Sequence, residues 1–308
     1  MLDVRRLRVF REVARQGSFS GAAEALTFTQ SAISQNVAAL EREAGASLVE
    51  RGSRGVRLTE AGHALVEHAD AILARLDDAE QELAAIAGLR GGRLRLTSFP
   101  SAGAALVPDA ISIFNQRYPD VELSLAEAEP HESLPALKRG DCDLAIVFDY
   151  RSLPEEDEEV ERVHLLDDVQ HAALPRDHRL AGRARVKLAD LAEDSWINGV
   201  RLCGEFVVQE CVAAGFEPHV TLESNDYATM QGLVASGVGV TLLPDLVLAT
   251  GVNPGVAVIP FASNPPIRRI WAAVGANGYR SPATGAMIEV LQEVCAGFPG
   301  RLQVAAAS

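Results

Sequence analysis

The stretch from Gly17 to Glu43, GSFSGAAEALTFTQSAISQNVAALERE, constrains the fold more tightly than any other part of the chain. Small apolar Ala22, Ala23 and Ala25 lead to Leu26, and Ile33, Val37 and Leu40 recur at helical spacing. The pattern predicts two helices, Ser20–Leu26 and Gln30–Glu43, with a tight turn between them and Thr29 as N-cap of the second. Alanine faces let two helices cross closely at a steep angle, which is the helix-turn-helix geometry. The second helix then exposes Gln30, Ser31, Ser34, Gln35 and Asn36, short hydrogen-bonding side chains that suit base edges and phosphates in a major groove. An ordinary α-hairpin would share the apolar pattern, so the flanking sequence decides.

Downstream, Gly52 and Gly55 with alternating polar and apolar neighbours predict a short hairpin that carries Arg51, Arg54 and Arg57. A basic wing beside a recognition helix can straddle the phosphate backbone. Thr59 then caps a new helix, with Glu60 near the positive end of its dipole. Leu58, Gly62, Leu65, Ala69, Ile72, Leu76, Ala79, Leu83 and Ile86 follow at alternating steps of four and three, an a/d seam. Continued to Gly88, about thirty residues span roughly 45 Å. The seam is narrow and its flanks are charged (Asp70, Asp77, Asp78, Glu80, Glu82), which favours a pairing helix over one packed on its own domain. Pairing supplies the two-fold symmetry that paired half-sites require.

From Leu7 to Gly62 the chain resembles the DNA-binding end of LysR-type transcriptional regulators. The words that carry the resemblance are AAEAL (Ala22–Leu26), QSAISQ (Gln30–Gln35), ALE (Ala39–Glu41), ER (Glu50–Arg51) and LTEAG (Leu58–Gly62). Ala44 and Val49 depart from the family pattern and read as local repacking. The resemblance continues in GDCDLAIV (Gly140–Val147) and LVASGVGVTLLP (Leu233–Pro244), which look like the effector-binding part of the same family. It implies an α/β chain: an N-terminal winged helix-turn-helix at 1–58, a dimerisation linker helix at 59–88, and a two-lobed, periplasmic-binding-protein-like (type 2) effector domain at 89–308. Lobe one is expected at about 90–163 plus 268–308 and lobe two at about 164–267. Pro175–His178 also matches, but Arg179 stands where proline is common, so a looser loop is expected there.

A net charge of −14 is unusual for a chain that binds DNA, and its distribution resolves part of the conflict. Residues 1–58 hold nine arginines against six carboxylates, whereas 59–88 hold one arginine against seven. Positive charge thus lies where DNA would lie, and the acidic remainder confines contact to the head. A head of +3 is weak by itself, which favours a homodimer or homotetramer. No apolar run is long enough to span a membrane, and the N-terminus lacks a signal-peptide pattern, so a cytoplasmic protein is expected.

Between residues 93 and 148, strands and helices alternate, which predicts a parallel sheet with right-handed crossovers. Strands are expected at Arg93–Ser98, Val121–Ala126, Asp143–Phe148, Ala172–Leu174, Trp196–Ile197, Val238–Leu242 and Arg269–Gly275. Helices are expected at Val107–Tyr118, Glu132–Arg139, Cys203–Ala214, Tyr227–Ala235 and Ala283–Ala296. Gly88–Arg93 reads as a hinge. Strand ends converge on a cleft, where Ser98, Phe99 and Ser101 follow the first strand, Glu127 and Glu129 the second, and Phe148 and Asp149 the third. Asn198 and Asn225, with Gly199 and Asp226, are the expected contributors from lobe two. Serine hydroxyls with a helix N-terminus suit an acceptor such as a carboxylate, and Glu127 with Asp149 an amine or hydroxyl donor.

The four cysteines, Cys142, Cys203, Cys211 and Cys295, form no C-x-x-C pair and no zinc spacing. Peroxide-sensing members of the LysR family use a thiol pair in a region comparable to Cys203 and Cys211, so a redox-responsive regulator is one alternative. The run Glu155–Glu159 lacks an EF-hand's spacing and glycine. No Walker loop, G-x-S-x-G elbow or H-E-x-x-H occurs, which argues against an enzyme and calls for no cofactor. A ligand-binding protein without gene control is the other alternative. The leading reading is a regulator that binds double-stranded DNA at an interrupted palindrome, responds to a small-molecule effector, and has RNA polymerase among its candidate partners.

Overall fold

The computed structural model describes residues 1–52, 55–86, 92–150, 158–276 and 280–298, with 51, 52, 78, 81 and 84–86 described by their backbone alone. Three helices open the chain: α1 (Val4–Gln16), α2 (Phe19–Ala25) and α3 (Gln30–Ala44). Asp3, Ser18 and Thr29 cap them, each side chain accepting from backbone N–H groups of the first turn. Leu7, Phe10 and Val13 meet Ala22, Ile33, Val37 and Leu40 in one core. The alanines of α2 are what allow α3 to approach. β1 (Val49–Gly52) and β2 (Gly55–Leu58) then pair antiparallel, with Val49 opposite Leu58. Arg54, the tip arginine of this wing, lies outside the described residues.

The turn between α2 and α3 closes as a Schellman motif. The Phe28 N–H donates to the Ala23 carbonyl at 2.8 Å and the Thr27 N–H to the Glu24 carbonyl at 3.2 Å. Thr27 takes the left-handed position, φ +57°, which glycine ordinarily fills. A β-branched residue there is strained, and the strain lies one residue from the exposed Phe28 and two from Thr29, the cap of the recognition helix.

α4 (Glu60–Ile86) leaves the wing and its seam divides. Ala69 is buried, and Leu58, Leu65 and Val66 pack on the head's own core. Farther along, Ile72 and Leu83 are 43% and 66% exposed, so this part of the stripe faces outward. Leu73, outside the seam, is buried instead. α4 is anchored on the effector part by Asp77, which pairs with Arg93 at 2.7 Å and Arg95 at 3.0 Å. Beside it Gly140, at φ +69°, lies so close to α4 that an added Cβ would be 2.6 Å from Ala74 Cβ. Asp141 reaches the head itself, 3.3 Å from Arg15. The expected hinge at 88–93 falls outside the described residues except for Gly92 and Arg93, which begin a strand.

The larger part runs β3 (Gly92–Ser98), α5 (Pro100–Ala105), α6 (Val107–Arg117), β4 (Val121–Glu127), α7 (Pro130–Lys138), β5 (Leu144–Asp149) and β6 (Val160–Pro175). After β6 come β7 (Ser195–Asn198), α8 (Arg201–Ala213), β8 (His219–Glu223), α9 (Tyr227–Ala235), β9 (Thr241–Pro244), α10 (Asp245–Thr250), β10 (Val256–Ile259), β11 (Ile267–Gly275) and α11 (Pro282–Gly297). β3, β4 and β5 are parallel, whereas β11 lies antiparallel to both β5 and β6, so the complete sheet is mixed. β6 is 16 residues long and belongs to both lobes: Val160–Val169 pair with β11, and Gln170–Pro175 pair with β9 and β10. The expected Ala172–Leu174 is only the end of it. α5, β8, α10 and β10 were not expected either. In lobe two Arg179 donates to the Asp190 carbonyl at 2.7 Å and to Asp194 at 2.9 Å, so the loop after Pro175 is pinned where a looser one was expected. The acidic run is described only from Glu158 onward.

Replacing Thr27 with glycine relieves a left-handed strain of about 1–2 kcal/mol, partly offset by a larger unfolded-state entropy. Thr27→Gly therefore stabilises the head by up to about 1 kcal/mol, read as slower amide exchange in α2 and α3.

Candidate nucleic-acid interface and inter-lobe cleft

Thr29, Gln30, Ser31 and Gln35 are exposed at the N-terminal end of α3, and Ser34 and Asn36 are half-buried. Thr29 Oγ1 accepts from the Ala32 N–H at 3.2 Å and lies 3.1 Å from Ser31 Oγ. Asn36 turns inward, its Nδ2 donating to the Ala32 carbonyl at 2.9 Å. The polar end of the helix is thus presented with its free N–H groups outward, where a phosphate is favoured. Arg57 is exposed on β2, opposite Glu50, and the Arg51 backbone pairs with Val56.

Other motif residues hold this surface in place. Glu41 Oε1 accepts from the Leu48 N–H at 2.8 Å and the Val49 N–H at 3.3 Å, tying α3 to the wing. Thr59 Oγ1 donates to the Ser47 carbonyl at 2.7 Å and accepts from the Gly62 N–H at 3.0 Å. A Cβ on Gly62 would fall 2.1 Å from the Leu48 carbonyl oxygen, so only glycine lets α4 start there.

At the junction of the lobes a buried ion pair occupies the floor of the cleft. Arg268, 1% exposed, donates to Asp168 Oδ2 through Nη2 at 2.6 Å and Nε at 3.0 Å, and to Ser101 Oγ at 2.9 Å. Asp168 Oδ1 accepts from the Leu246 N–H of α10 at 3.1 Å. The guanidinium lies 4.9 Å from the ring centres of both Phe99 and Phe148, which meet each other edge-to-face, so it makes two cation–π contacts. Burial is the largest single effect and works against its charge; Asp168, with smaller contributions from Tyr227, Tyr150 and Cys203, still holds the group above its ordinary value. Burial also pushes the neighbouring Tyr150 and Tyr227 hydroxyls up, which keeps both neutral.

Phe99, Ser101, Phe148 and Asn225 line a cavity of about 40 Å³ together with Arg268, Gln170 and Thr241. Ser98 is buried, and its hydroxyl donates to the Phe99 carbonyl at 3.2 Å. Asn198 is buried, donating to the Gly204 carbonyl at 3.2 Å and accepting from the Gly199 N–H at 3.0 Å, so it shapes the start of α8. Glu127 is exposed at the end of β4 and lines neither this cavity nor its neighbour. Asp149 lines a separate, larger cavity, and the Asp226 carboxylate is taken up capping α9. Arg268, Asp168 and Gln170 went unforeseen.

The thiols are poorly placed for redox chemistry. Burial raises Cys203 above its ordinary value and pushes Cys211 up to about 12, away from the reactive thiolate. Eight residues along one helix separate them by about 12 Å, beyond disulfide reach while α8 is intact. Among the described residues, no group of acidic, histidine or cysteine side chains is placed to hold a metal, and no helix is long and apolar enough to cross a membrane.

A winged helix-turn-helix joined by a long helix to a two-lobed effector domain defines a class of ligand-responsive DNA-binding regulator. Residues 4–63 match the family of bacterial regulatory helix-turn-helix proteins termed lysR, and residues 87–296 match the LysR substrate binding domain. The chain belongs to the LysR family of transcriptional regulators. It is 32% identical over 296 residues to a probable HTH-type transcriptional regulator, LrrA, of Synechococcus elongatus, covering 95% of this chain and 97% of that one. A full-length OxyR from Pseudomonas aeruginosa is similar in structure, with a TM-score of 0.69 at 26% identity over 96% of this chain and 95% of that one. CbnR in complex with its target DNA shares the fold at 24% identity, with a TM-score of 0.65 over 95% of this chain and all of that one (100%).

Removing one partner of the cleft pair leaves a buried charge alone. Arg268→Met should cost about 3–5 kcal/mol and lower Tm by roughly 10 °C. Adding Asp168→Leu should recover most of that loss in the same thermal melt.

Proposed function

We propose that this regulator reads an interrupted palindrome through paired heads and is controlled by a small molecule held between its lobes. The observation that carries the DNA reading is the exposed polar end of α3 beside a wing that carries Arg57. Within the head, residues 1–58, we assign Gln30, Ser31, Ser34 and Gln35 to base edges and phosphates. Thr29, Arg51, Arg54 and Arg57 position the head on the backbone. The helix 59–88 pairs two protomers through its outward stripe, and two heads placed by a dimer reach successive major grooves about 34 Å apart. CbnR was solved with its target DNA, which supports a direct DNA contact for the corresponding head.

The effector part, 89–308, holds its ligand at Phe99, Ser101, Phe148 and Asn225 beside Arg268, with Ser98 and Asn198 shaping the walls. Of the other expected residues, Glu127 stands exposed at the end of β4 and Asp149 faces the neighbouring cavity. The lobes close tightly here, since about 40 Å³ remains, so entry requires them to part. A ligand that favours one lobe arrangement shifts the angle between heads and with it promoter geometry or polymerase access. Such a protein acts in the cytoplasm, where its DNA is, and needs no catalytic activity or cofactor. Raised thiol pKa values at Cys203 and Cys211 favour this reading over a redox switch.

A gel shift on DNA upstream of the gene tests the reading. Ser34→Ala with Gln35→Ala should reduce discrimination between operator and random DNA by about 1–3 kcal/mol. Arg57→Ala should weaken both DNAs alike and flatten the salt slope by about one unit per head. Equal losses for both variants on both DNAs would contradict it. Ile72→Glu with Leu83→Glu should shift the protein toward monomer in light scattering and abolish palindrome binding first.

A further inference from the structure

The larger cavity lies at the strand ends and draws part of its wall from the sheet face opposite the Arg268 pair. Alternation along β11 sends Arg268 and Ile270 to one face and Arg269, Trp271 and Ala273 to the other. The register places Asp149 opposite Arg269, Val147 opposite Trp271 and Arg162 opposite Ala273, so Asp149, Trp271 and Arg162 share that second face. α7 covers part of it through Leu134 and Leu137. Where α7 begins, the face opens into a cavity of about 530 Å³, closed from lobe two by the first turns of α8. Tyr150 stacks on Phe206 of α8 at 3.8 Å, and Arg201 reaches across the mouth to His131, so both lobes form the walls.

Four buried polar atoms on these walls lack a hydrogen-bond partner: Asp149 Oδ1 and Oδ2, Arg162 Nε and Trp271 Nε1. Asp149 is only 7% exposed, and Arg269 Nε stands 3.9 Å from Oδ1, too far for a hydrogen bond. Buried polar groups are ordinarily satisfied within the fold, and several on one cavity wall are expensive for folding alone. Their chemistry is complementary: a carboxylate that takes donors, and two N–H groups that take an acceptor. Trp271 lies two residues past the partner of Asp149, about 7 Å along the strand. Leu134, Val147, Tyr150, Leu202 and Phe206 give the cavity an apolar wall, while Glu129, His131, Arg201, Glu205 and Gln209 also line it. The volume falls in the range of small-molecule sites.

We propose that this cavity binds an α-amino acid with an apolar side chain, its ammonium group on Asp149 and its carboxylate on Trp271 and Arg162. The site is distinct from the cleft floor at Ser101 and Arg268, although Glu129, Phe148, Cys203 and Asn225 line both cavities. Because α8 forms one wall, occupancy draws lobe two toward lobe one and favours the closed arrangement.

The test uses the purified full-length protein without DNA. Its probes are L-valine, L-leucine, L-isoleucine, L-methionine and L-phenylalanine at millimolar concentration, followed by calorimetry and by tryptophan emission. At least one should bind saturably at one per chain, and its deaminated and decarboxylated analogues should bind at least about tenfold more weakly. Asp149→Asn should weaken binding by at least about tenfold while melting no lower than the parent, because it removes an unsatisfied buried charge. Leu134→Trp, which fills the cavity and leaves Asp149 intact, should also abolish binding. The site is overturned if no probe binds, if an analogue binds equally well, if Asp149→Asn melts well below the parent, or if Ser101→Ala removes binding that Asp149→Asn retains. Operator binding without amino-acid binding would remove this site alone, whereas amino-acid binding without operator binding would remove only the regulator reading.

Discussion

The pairing of Arg268 with Asp168 is the constraint on which the effector part is built. A guanidinium 1% exposed and a carboxylate fully buried are stable only because each is saturated by the other and by neighbours that cannot move independently. Ser101 brings α5, Phe99 and Phe148 bring the edge of the lobe-one core, and the Leu246 N–H brings α10. These groups come from segments far apart in sequence and meet where β6 and β11 pass between lobes. The cleft floor is therefore rigid, and freedom to open belongs to the walls above it. A polar ligand arriving there meets a preformed field and does not have to organise one.

The head follows a different logic. Its stability is local: three capped helices, a small core, and backbone ties from Glu41 and Thr59 that hold the wing to α3. Such a unit can be strained at its tip without falling apart, and Thr27 shows that it is. The strained turn and the exposed Phe28 immediately precede the residues assigned to DNA. Strain of this kind persists where surrounding contacts over-determine the backbone.

Legibility from sequence tracks this division. α3, its Thr29 cap and its outward Gln30, Ser31 and Gln35 could be read directly, because capping and helical periodicity act within a few residues. β6 could not, because Glu161, His164, Asp167 and Asp168 break any simple alternation; the strand serves two sheets, and one of its charges is buried by a residue 100 positions away. Asp149 was legible as a strand-end carboxylate, but not which face it served, since that depends on the register with β11. Ser98 and Asn198 looked like ligand groups because hydroxyls and amides at strand ends often are; here their hydrogen bonds are spent on the backbone. The stripe on α4 read as one continuous seam, yet its first half packs inward on the head, and among its described residues Ile72, Ala79 and Leu83 face outward.

The close approach of Gly140 to Ala74 has an evolutionary consequence. The direction in which the long helix departs from the effector part is set where one residue has no side chain and the other a single methyl. Enlarging either tilts the helix like a shim under a beam and swings the head through an arc at its far end. Descendants of this chain can thus retune the spacing and phase of the operators they recognise while every base-reading and ligand-holding residue stays as it is. Drift at these two positions offers a route by which duplicated copies acquire separate targets.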